Sequence, residues 1–106
     1  MDLRIKTQFV KDLKDKDSIS SPFLIKFSAL AVGKNGKPYM NLVFMDKTGE
    51  LEARLWEDVP QYTGQAVRDA IVWVDGRCQS YQGRLQVVVT RLQILREDDV
   101  LAVMEA

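Results

Sequence analysis

The sequence predicts an all-β protein: a small closed barrel of five strands, with a short helix between the third and fourth strands and a short C-terminal helix. Three observations support this prediction. Apolar residues recur at every second position in five separate stretches, which is the pattern of strands buried on one face. Glycine-containing turn sequences separate most of these stretches. Residues 57–70 lack the alternation and contain Pro60, a residue typical of the first turn of a helix.

The first predicted strand begins near Ser21 and is unusually long. Apolar residues alternate over residues 23–27, and the apolar positions then change parity at Leu30 and Val32. A change of parity inside one strand predicts a bulge or a strong bend, which a small barrel needs in order to close. Residues 33–37, GKNGK, follow as a tight turn, because Asn-Gly readily adopts the positive φ of a hairpin.

The second and third predicted strands form a hairpin around the turn at residues 46–49, DKTG. The second strand, residues 38–46, places apolar side chains on one face and mixed side chains on the other. The third strand reads ELEARLW and alternates charged with apolar residues until it ends at Trp56. We expect Asp46 to accept hydrogen bonds from its own turn, as Asp side chains commonly do at such positions.

The remaining elements complete the barrel. A short helix is expected near residues 60–65, with Asp58 as a candidate N-cap. Alternation resumes over residues 71–80 for the fourth strand, and again from residue 84 to about residue 95 for the fifth. The resulting order, β-β-β-α-β-β, is that of an OB-fold, a five-stranded Greek-key barrel. An SH3-like barrel is the alternative, but it does not normally carry a helix at that point.

The chain is long enough for one domain, which we assign to residues 1–96. Residues 97–106, EDDVLAVMEA, begin with acids suited to a helix N-terminus and continue with large apolar residues. This segment is predicted to be a C-terminal helical tail or the start of a linker. It is too short to be a stable helix alone, so it must dock onto another surface.

Composition excludes several classes of function. The chain has no histidine, so histidine-based zinc sites and Ser-His-Asp catalysis are not available, and we expect neither an enzyme nor a metal or other cofactor. A single cysteine cannot form an internal disulfide, which favours a reducing, cytoplasmic location. No apolar run approaches the ~20 residues of a membrane span. The net charge is zero, but four acids lie in residues 97–106, so the barrel itself is basic.

Four sequence segments together resemble one family. They are GKNGKPY at 33–39, DKTGELEARLW at 46–56, VDG at 74–76 and YQGRLQ at 81–86. The combination resembles the anticodon-binding-like (tRNA-anti) OB domains over nearly the whole chain. It is most similar to the N-terminal module of bacterial 3′–5′ exoribonucleases that carry an HD-type phosphohydrolase domain. The resemblance implies binding of single-stranded RNA or DNA, with RNA favoured, and a catalytic domain elsewhere in a longer parent protein.

The outward face of strands 2 and 3, with the loops joining strands 1–2 and 4–5, is the expected binding surface of this fold. Aromatic rings there would stack on bases, while lysines and arginines would hold phosphates. The candidate nucleic-acid-binding residues are Lys34, Asn35, Lys37, Tyr39, Asn41, Arg54, Trp56, Tyr81 and Arg84. Trp56 is equally compatible with a structural role as a partly buried lid on the barrel.

A second hypothesis is a protein-interaction or self-association module without a nucleic-acid ligand, including a homodimer. Zero net charge, Trp73 facing outward on the fourth strand and the apolar residues of 97–106 favour it. The lysines, arginines and aromatic residues beside the two loops favour nucleic-acid binding instead. Fold alone does not decide between these functions.

Overall fold

Five strands close into a barrel with the spatial order β1-β2-β3-β5-β4. The computed structural model describes residues 8–95. In chain order the elements are a 3₁₀ turn at Val10–Asp12, β1 at Ser18–Val32, β2 at Pro38–Asp46, β3 at Gly49–Leu55, α1 at Val59–Tyr62, β4 at Ile71–Tyr81 and β5 at Arg84–Ile94. β3 and β5 pair in parallel, and the other neighbours are antiparallel. The predicted order is confirmed, while the predicted C-terminal helix lies outside the described residues.

β1 belongs to both halves of the barrel. Its first half pairs with β4, and from Leu24 onward it pairs with β2. The register shifts between Ile25 and Phe27, so the bulge predicted from the change of parity is present. Ile25 is fully buried, whereas the bulge turns Phe27 outward and leaves it 50% exposed. The end of β1 extends past the core, and Leu30 there is therefore 60% exposed.

The core consists of the inward residues of all five strands. The Phe23 and Phe44 rings pack with their centroids 5.9 Å apart, and Leu55 and Val72 are fully buried. In β3 the residues between the charged ones are buried, as the alternation predicted. Burial of this continuous apolar set stabilises the barrel at roughly 25 cal/mol per Å² of apolar surface.

The helix is shorter than predicted. It spans Val59–Tyr62 rather than residues 60–65, and Tyr62 packs with the core. Asp58 occupies the N-cap position with φ 54° and makes no side-chain capping bond. The left-handed conformation of Asp58 turns the chain sharply after Trp56. A capping side chain normally requires an extended N-cap residue, so the predicted capping bond is absent.

Residues 8–17 cross one end of the barrel and tie separate strands together. The Val10 amide donates to Asp46 Oδ2 at 2.9 Å, while Asp46 Oδ1 accepts from the Thr48 amide at 2.7 Å. The predicted role of Asp46 in its own turn is therefore confirmed, and the same carboxylate also holds the crossing segment. Further along, the Lys16 amide donates to the Cys78 carbonyl at 2.9 Å.

Candidate nucleic-acid interface

The outward faces of β2 and β3 form one continuous surface. Asn41 lies directly opposite Arg54, and Val43 lies opposite Glu52. On the far side of β3, Arg54 aligns with Val88 of β5. Directly opposite residues of neighbouring strands lie on the same face of a sheet, so their side chains form rows across the barrel wall. We call this surface the β2–β3 face.

One end of the β2–β3 face carries an aromatic cluster, formed by Tyr39 and Trp56. Their rings stack with centroids 4.4 Å apart and an interplanar angle of 27°. The Arg54 guanidinium lies 6.0 Å from the Tyr39 ring centroid, at the outer limit of a cation–π contact. Trp56 remains 46% exposed, so part of the indole is accessible from solvent. Tyr39 therefore lies against two other predicted binding residues, Trp56 and Arg54.

The β1–β2 turn, residues 33–37, lies beside this cluster. Gly33 lies against the indole: a Cβ at this position would come within 3.2 Å of Trp56 Cζ3. Asn35 Oδ1 accepts from the Lys37 amide at 3.0 Å, and Gly36 has φ 79°. Asn35 therefore shapes the turn, which presents the exposed side chains of Lys34 and Lys37 next to the exposed indole.

Asn41 lies beside the cluster, and its side chain is partly buried. Its Oδ1 atom is buried and has no hydrogen-bond partner among residues 8–95. A buried acceptor without a partner costs roughly 1–3 kcal/mol.

The acidic residues of β3 are each neutralised by a base. Glu50 forms an ion pair with Lys26 of β1, and Glu52 pairs with Arg84 of β5, with 3.3 Å between Oε1 and Nη1. Arg54, further along β3, forms no ion pair within residues 8–95, and its guanidinium donates to the carbonyl of Ala53 at 3.3 Å. Lys34 and Lys37 form no ion pair within the same range. Among the candidate binding residues, the bases without an ion pair within residues 8–95 therefore lie at the end with the aromatic cluster.

Tyr81 and Arg84 lie at the other end of the face, in the β4–β5 hairpin, and do not contact the aromatic cluster. Gln86 aligns with Glu52, so Arg84 lies two residues beyond that row, away from Trp56. At ~3.3 Å per residue the two ends of the face are about 20 Å apart. Tyr81 is 56% exposed, and Arg84 is engaged with Glu52. The nine predicted residues thus form two groups rather than one.

Sequence reasoning does not identify Phe27 as part of this surface. Phe27 lies opposite Val43 of β2, which places its half-exposed ring on the β2–β3 face. The alternation from Phe23 suggested an inward position, and the bulge reverses it. The change of parity predicted that β1 contains a bulge, but it did not predict the residue at which the bulge occurs.

Other singled-out residues lie away from the face. Trp73 Nε1 donates to Ser20 Oγ at 2.9 Å across the β1–β4 pair. Cys78 is buried, and burial, together with the carboxylates of Asp17 and Asp15, raises the pKa of its thiol to about 11. Within residues 8–95, no cluster of acidic residues and cysteine could hold a metal ion. In the same part of the chain, no helix is long and apolar enough to cross a membrane.

A closed five-stranded barrel with a helix between β3 and β4 defines an OB-fold domain, which is a binding fold and not a catalytic one. The family model of the OB-fold nucleic acid binding domain, tRNA_anti-codon, matches residues 24–95. The chain belongs to this family.

Relatives in sequence and structure agree with this assignment. The chain is 41% identical over 73 residues to the 3′–5′ exoribonuclease YhaM of Halalkalibacterium halodurans, a match that covers 69% of the chain and 23% of that protein. The chain thus spans about a quarter of the length of this curated relative. The second OB-fold domain of replication protein A from Methanococcus maripaludis superposes with a TM-score of 0.64 at 17% identity, covering 85% of this chain and 95% of that domain. Rim1, a mitochondrial single-stranded DNA binding protein of S. cerevisiae, gives 0.60 at 16% identity, covering 78% and 98%.

Proposed function

We propose that the chain binds single-stranded nucleic acid along the β2–β3 face, and RNA in preference to DNA. The observations that carry this proposal are the contacts of Tyr39 with Trp56 and with Arg54 at one end of the face. Stacked, partly exposed rings beside an unpaired guanidinium match the two needs of a single strand, a surface for bases and a charge for phosphates. The preference for RNA is supported by the similarity to a protein named as an exoribonuclease.

The aromatic cluster provides the main base contact in this proposal. Tyr39 already covers part of the Trp56 indole, and Gly33 allows the β1–β2 turn to approach its edge. A base that stacks on the remaining exposed surface of Trp56 meets a ring that is already held in place, so little side-chain entropy is lost on binding. In this proposal Lys34 and Lys37 contact the phosphates on either side of that base.

Asn41 adds a polar contact in the same region. In this proposal its Nδ2 group is the donor to the strand, since the oxygen of the same amide is buried. A donor selects acceptor atoms, such as the carbonyl oxygens of pyrimidines, purine ring nitrogens or phosphate oxygens. The side chain therefore contributes a contact that any of several bases satisfies, in keeping with binding that tolerates different sequences.

Fluorescence of Trp56 tests the proposed position directly. In a Trp73→Phe variant, Trp56 is the remaining tryptophan, and a base stacked on it should quench its emission. We expect saturable quenching by single-stranded RNA, at lower concentrations than by DNA of the same sequence. Binding detected by a second method without a change in Trp56 emission would place the strand elsewhere on the barrel.

We also propose that this module delivers RNA to a nuclease domain in a longer protein, of the HD type that the sequence resemblance implies. The identity of 41% to an exoribonuclease of which the chain spans 23%, and the absence of histidine from the chain, support this role. The isolated chain should therefore bind RNA without shortening it. Deleting the module from the parent should raise the KM for RNA more than it lowers kcat. Cleavage of RNA by the purified chain alone would contradict this division of roles.

A further inference from the structure

The second half of β1 has an open edge. Its residues 24–32 pair with β2 on one side, while pairing with β4 stops at Leu24. The last contacts on the β4 side are made by Ile25, whose amide donates to the Ala70 carbonyl and whose carbonyl accepts from the Asp69 amide. Within residues 8–95, no strand pairs with the second edge of residues 27–32.

The hydrogen-bonding direction shows which backbone groups this edge presents. The Gly33 amide donates to the Lys37 carbonyl across the β1–β2 turn. Backbone groups of alternate residues in an antiparallel strand point the same way, so Ala31 and Ala29 also bond to β2. The N–H and C=O groups of the residues between them, at 28, 30 and 32, therefore point outward along the open edge.

The open edge lacks the usual protection against pairing with another chain. Natural edge strands carry charges, prolines or bulges that block the approach of a further strand. Residues 27–33, FSALAVG, contain no charge and no proline, and the bulge lies before them, between Ile25 and Phe27. Leu30 and Val32 are 60% and 69% exposed, so the edge is flanked by apolar surface as well as by free backbone groups.

We propose that this edge pairs antiparallel with the same edge of a second copy of the chain, forming a two-fold symmetric dimer. A two-fold contact requires a surface that is complementary to itself, and an uncharged antiparallel edge meets this requirement. The identical edge also supplies matching apolar side chains on both sides of the joined sheet. A peptide strand of unrelated sequence could also bond to the free backbone groups. Nothing in this chain, however, selects the side chains of such a strand.

Side-chain size and charge select the register. With the two-fold axis at Ala29, Phe27 faces Ala31 of the second copy, and Leu30 faces Ser28. Phe27 and Leu30 then each lie opposite a small side chain. With the axis one residue further along, at Leu30, Lys26 would face the second copy's Lys34, and directly opposed like charges destabilise a sheet. The register centred on Ala29 does not bring these two lysines opposite each other, and all of its paired residues belong to β1.

The dimer would join two β2–β3 faces. Residues 27, 29 and 31 of β1 lie opposite Val43, Asn41 and Tyr39, so they share the outward face proposed for nucleic acid. Antiparallel pairing keeps directly opposite residues on one face of the sheet, so the faces of the two copies become continuous. Dimerisation itself does not depend on the proposed function, since the edge and its apolar flanks are independent of any ligand.

The test is the molar mass of the full chain in solution without nucleic acid, measured by sedimentation over a wide concentration range. We expect a concentration-dependent rise from 12.1 kDa to twice that mass. Leu30→Lys and Leu30→Glu should both shift the equilibrium to monomer, because either charge would be buried at the joined edge. Gln61→Lys on α1 adds the same charge at another exposed site and should leave the dimer intact.

Thermal melting followed by circular dichroism checks that the Leu30 variants are folded. We expect them to be, because the side chain of Leu30 is exposed. A wild-type chain that stays monomeric at every concentration would overturn the proposal. A dimer that persists in both Leu30 variants would overturn it too, and would point to another surface, such as the one around Trp73.

Discussion

The indole of Trp56 stacks on the phenol ring of Tyr39, with ring centroids 4.4 Å apart, although the two residues belong to different strands. Trp56 follows the last residue of β3, and Leu55 before it pairs with Met40 of β2. The hairpin register therefore brings the indole opposite Tyr39. The stack is a consequence of strand pairing, and it places an aromatic surface where β2 leaves the β1–β2 turn.

Removing either ring should weaken binding without unfolding the barrel. Tyr39→Ala and Trp56→Ala are each expected to cost about 1–3 kcal/mol of affinity for single-stranded RNA. Because the rings are in contact, the double variant should lose less than the sum of the two single losses. Trp73→Phe, on β4, is the matched control and should bind like the wild type. If the single variants lose their thermal transition instead, the rings are structural.

Tyr81→Ala separates the two ends of the face. Its ring is exposed and lies about 20 Å from Trp56 by strand geometry. For RNA long enough to span the face, the loss of affinity should be about 1–3 kcal/mol. For RNA of two or three nucleotides, which cannot reach both ends, the variant should bind as the wild type does. An equal loss for short and long RNA would argue against two separate groups of contacts.

Gly33→Ala should disturb the aromatic cluster from the side of the turn. A Cβ at Gly33 would come within 3.2 Å of both the Trp56 ring and Asn35 Oδ1. We expect a shift in Trp56 emission, measured in the Trp73→Phe background, and weaker RNA binding. Gly64→Ala is the control, because a Cβ there would have no atom within 4 Å. Identical emission spectra for the two variants would show that the turn does not constrain the indole.

Arg54→Gln should reduce the salt dependence of binding. On single strands each phosphate neutralised contributes about −0.7 to the slope of log K against log salt concentration, and we expect a wild-type slope of about −2 to −4. Removing Arg54 should make this slope shallower by roughly 0.7. Arg91→Gln, which is exposed on β5 opposite Asp75 of β4, removes the same charge outside the set of candidate binding residues. An equal change in slope for both variants would mean that net charge matters and position does not.

Asp46→Ala should destabilise the fold and leave the face intact. The carboxylate accepts hydrogen bonds from the Val10 and Thr48 amides, and bonds to a charged group contribute about 1.5–3 kcal/mol each. We expect a loss of at least that size in the free energy of unfolding, measured in urea. Glu57→Ala, at an exposed position, should change it little. RNA affinity of the folded fraction of Asp46→Ala should match that of the wild type.

Cys78 should be inert in the native protein. Burial raises the pKa of its thiol to about 11 from 9.0, so the reactive thiolate is scarce at pH 8. Alkylation should be slow until denaturant is added. The folded pKa lies above the unfolded one, so this group contributes stability below pH 9 that is lost as the pH rises towards 11. Alkylation of the native protein as fast as that of the denatured protein would contradict this account.

The strands and their order were predictable because alternation is a local signal. The inward residues of β3, the bulge in β1 and the role of Asp46 all followed from neighbouring residues. The end of α1 at Tyr62 did not, and neither did the left-handed conformation of Asp58. The position of Phe27 was missed for a related reason, since one extra residue at the bulge reverses the face of everything after it.

The division of the candidate site into two ends was not predictable from the sequence. It depends on the parallel pairing of β3 with β5, which aligns Glu52 with Gln86 and leaves Arg84 beyond that row. No local pattern encodes this long-range register. The neutralisation of Glu52 by Arg84 follows from the same pairing, so it too became evident from the structure alone.

The most direct test of the central claim is a titration of the chain with labelled single-stranded RNA, single-stranded DNA and duplex RNA, each at two salt concentrations. We expect saturable binding to both single strands, tighter for RNA, and weaker binding to the duplex, whose bases cannot stack on Trp56. Affinity for the single strands should fall as salt rises. Equal affinity for single strands and duplex, or affinity that does not respond to salt, would contradict binding by the aromatic cluster and its neighbouring positive charges.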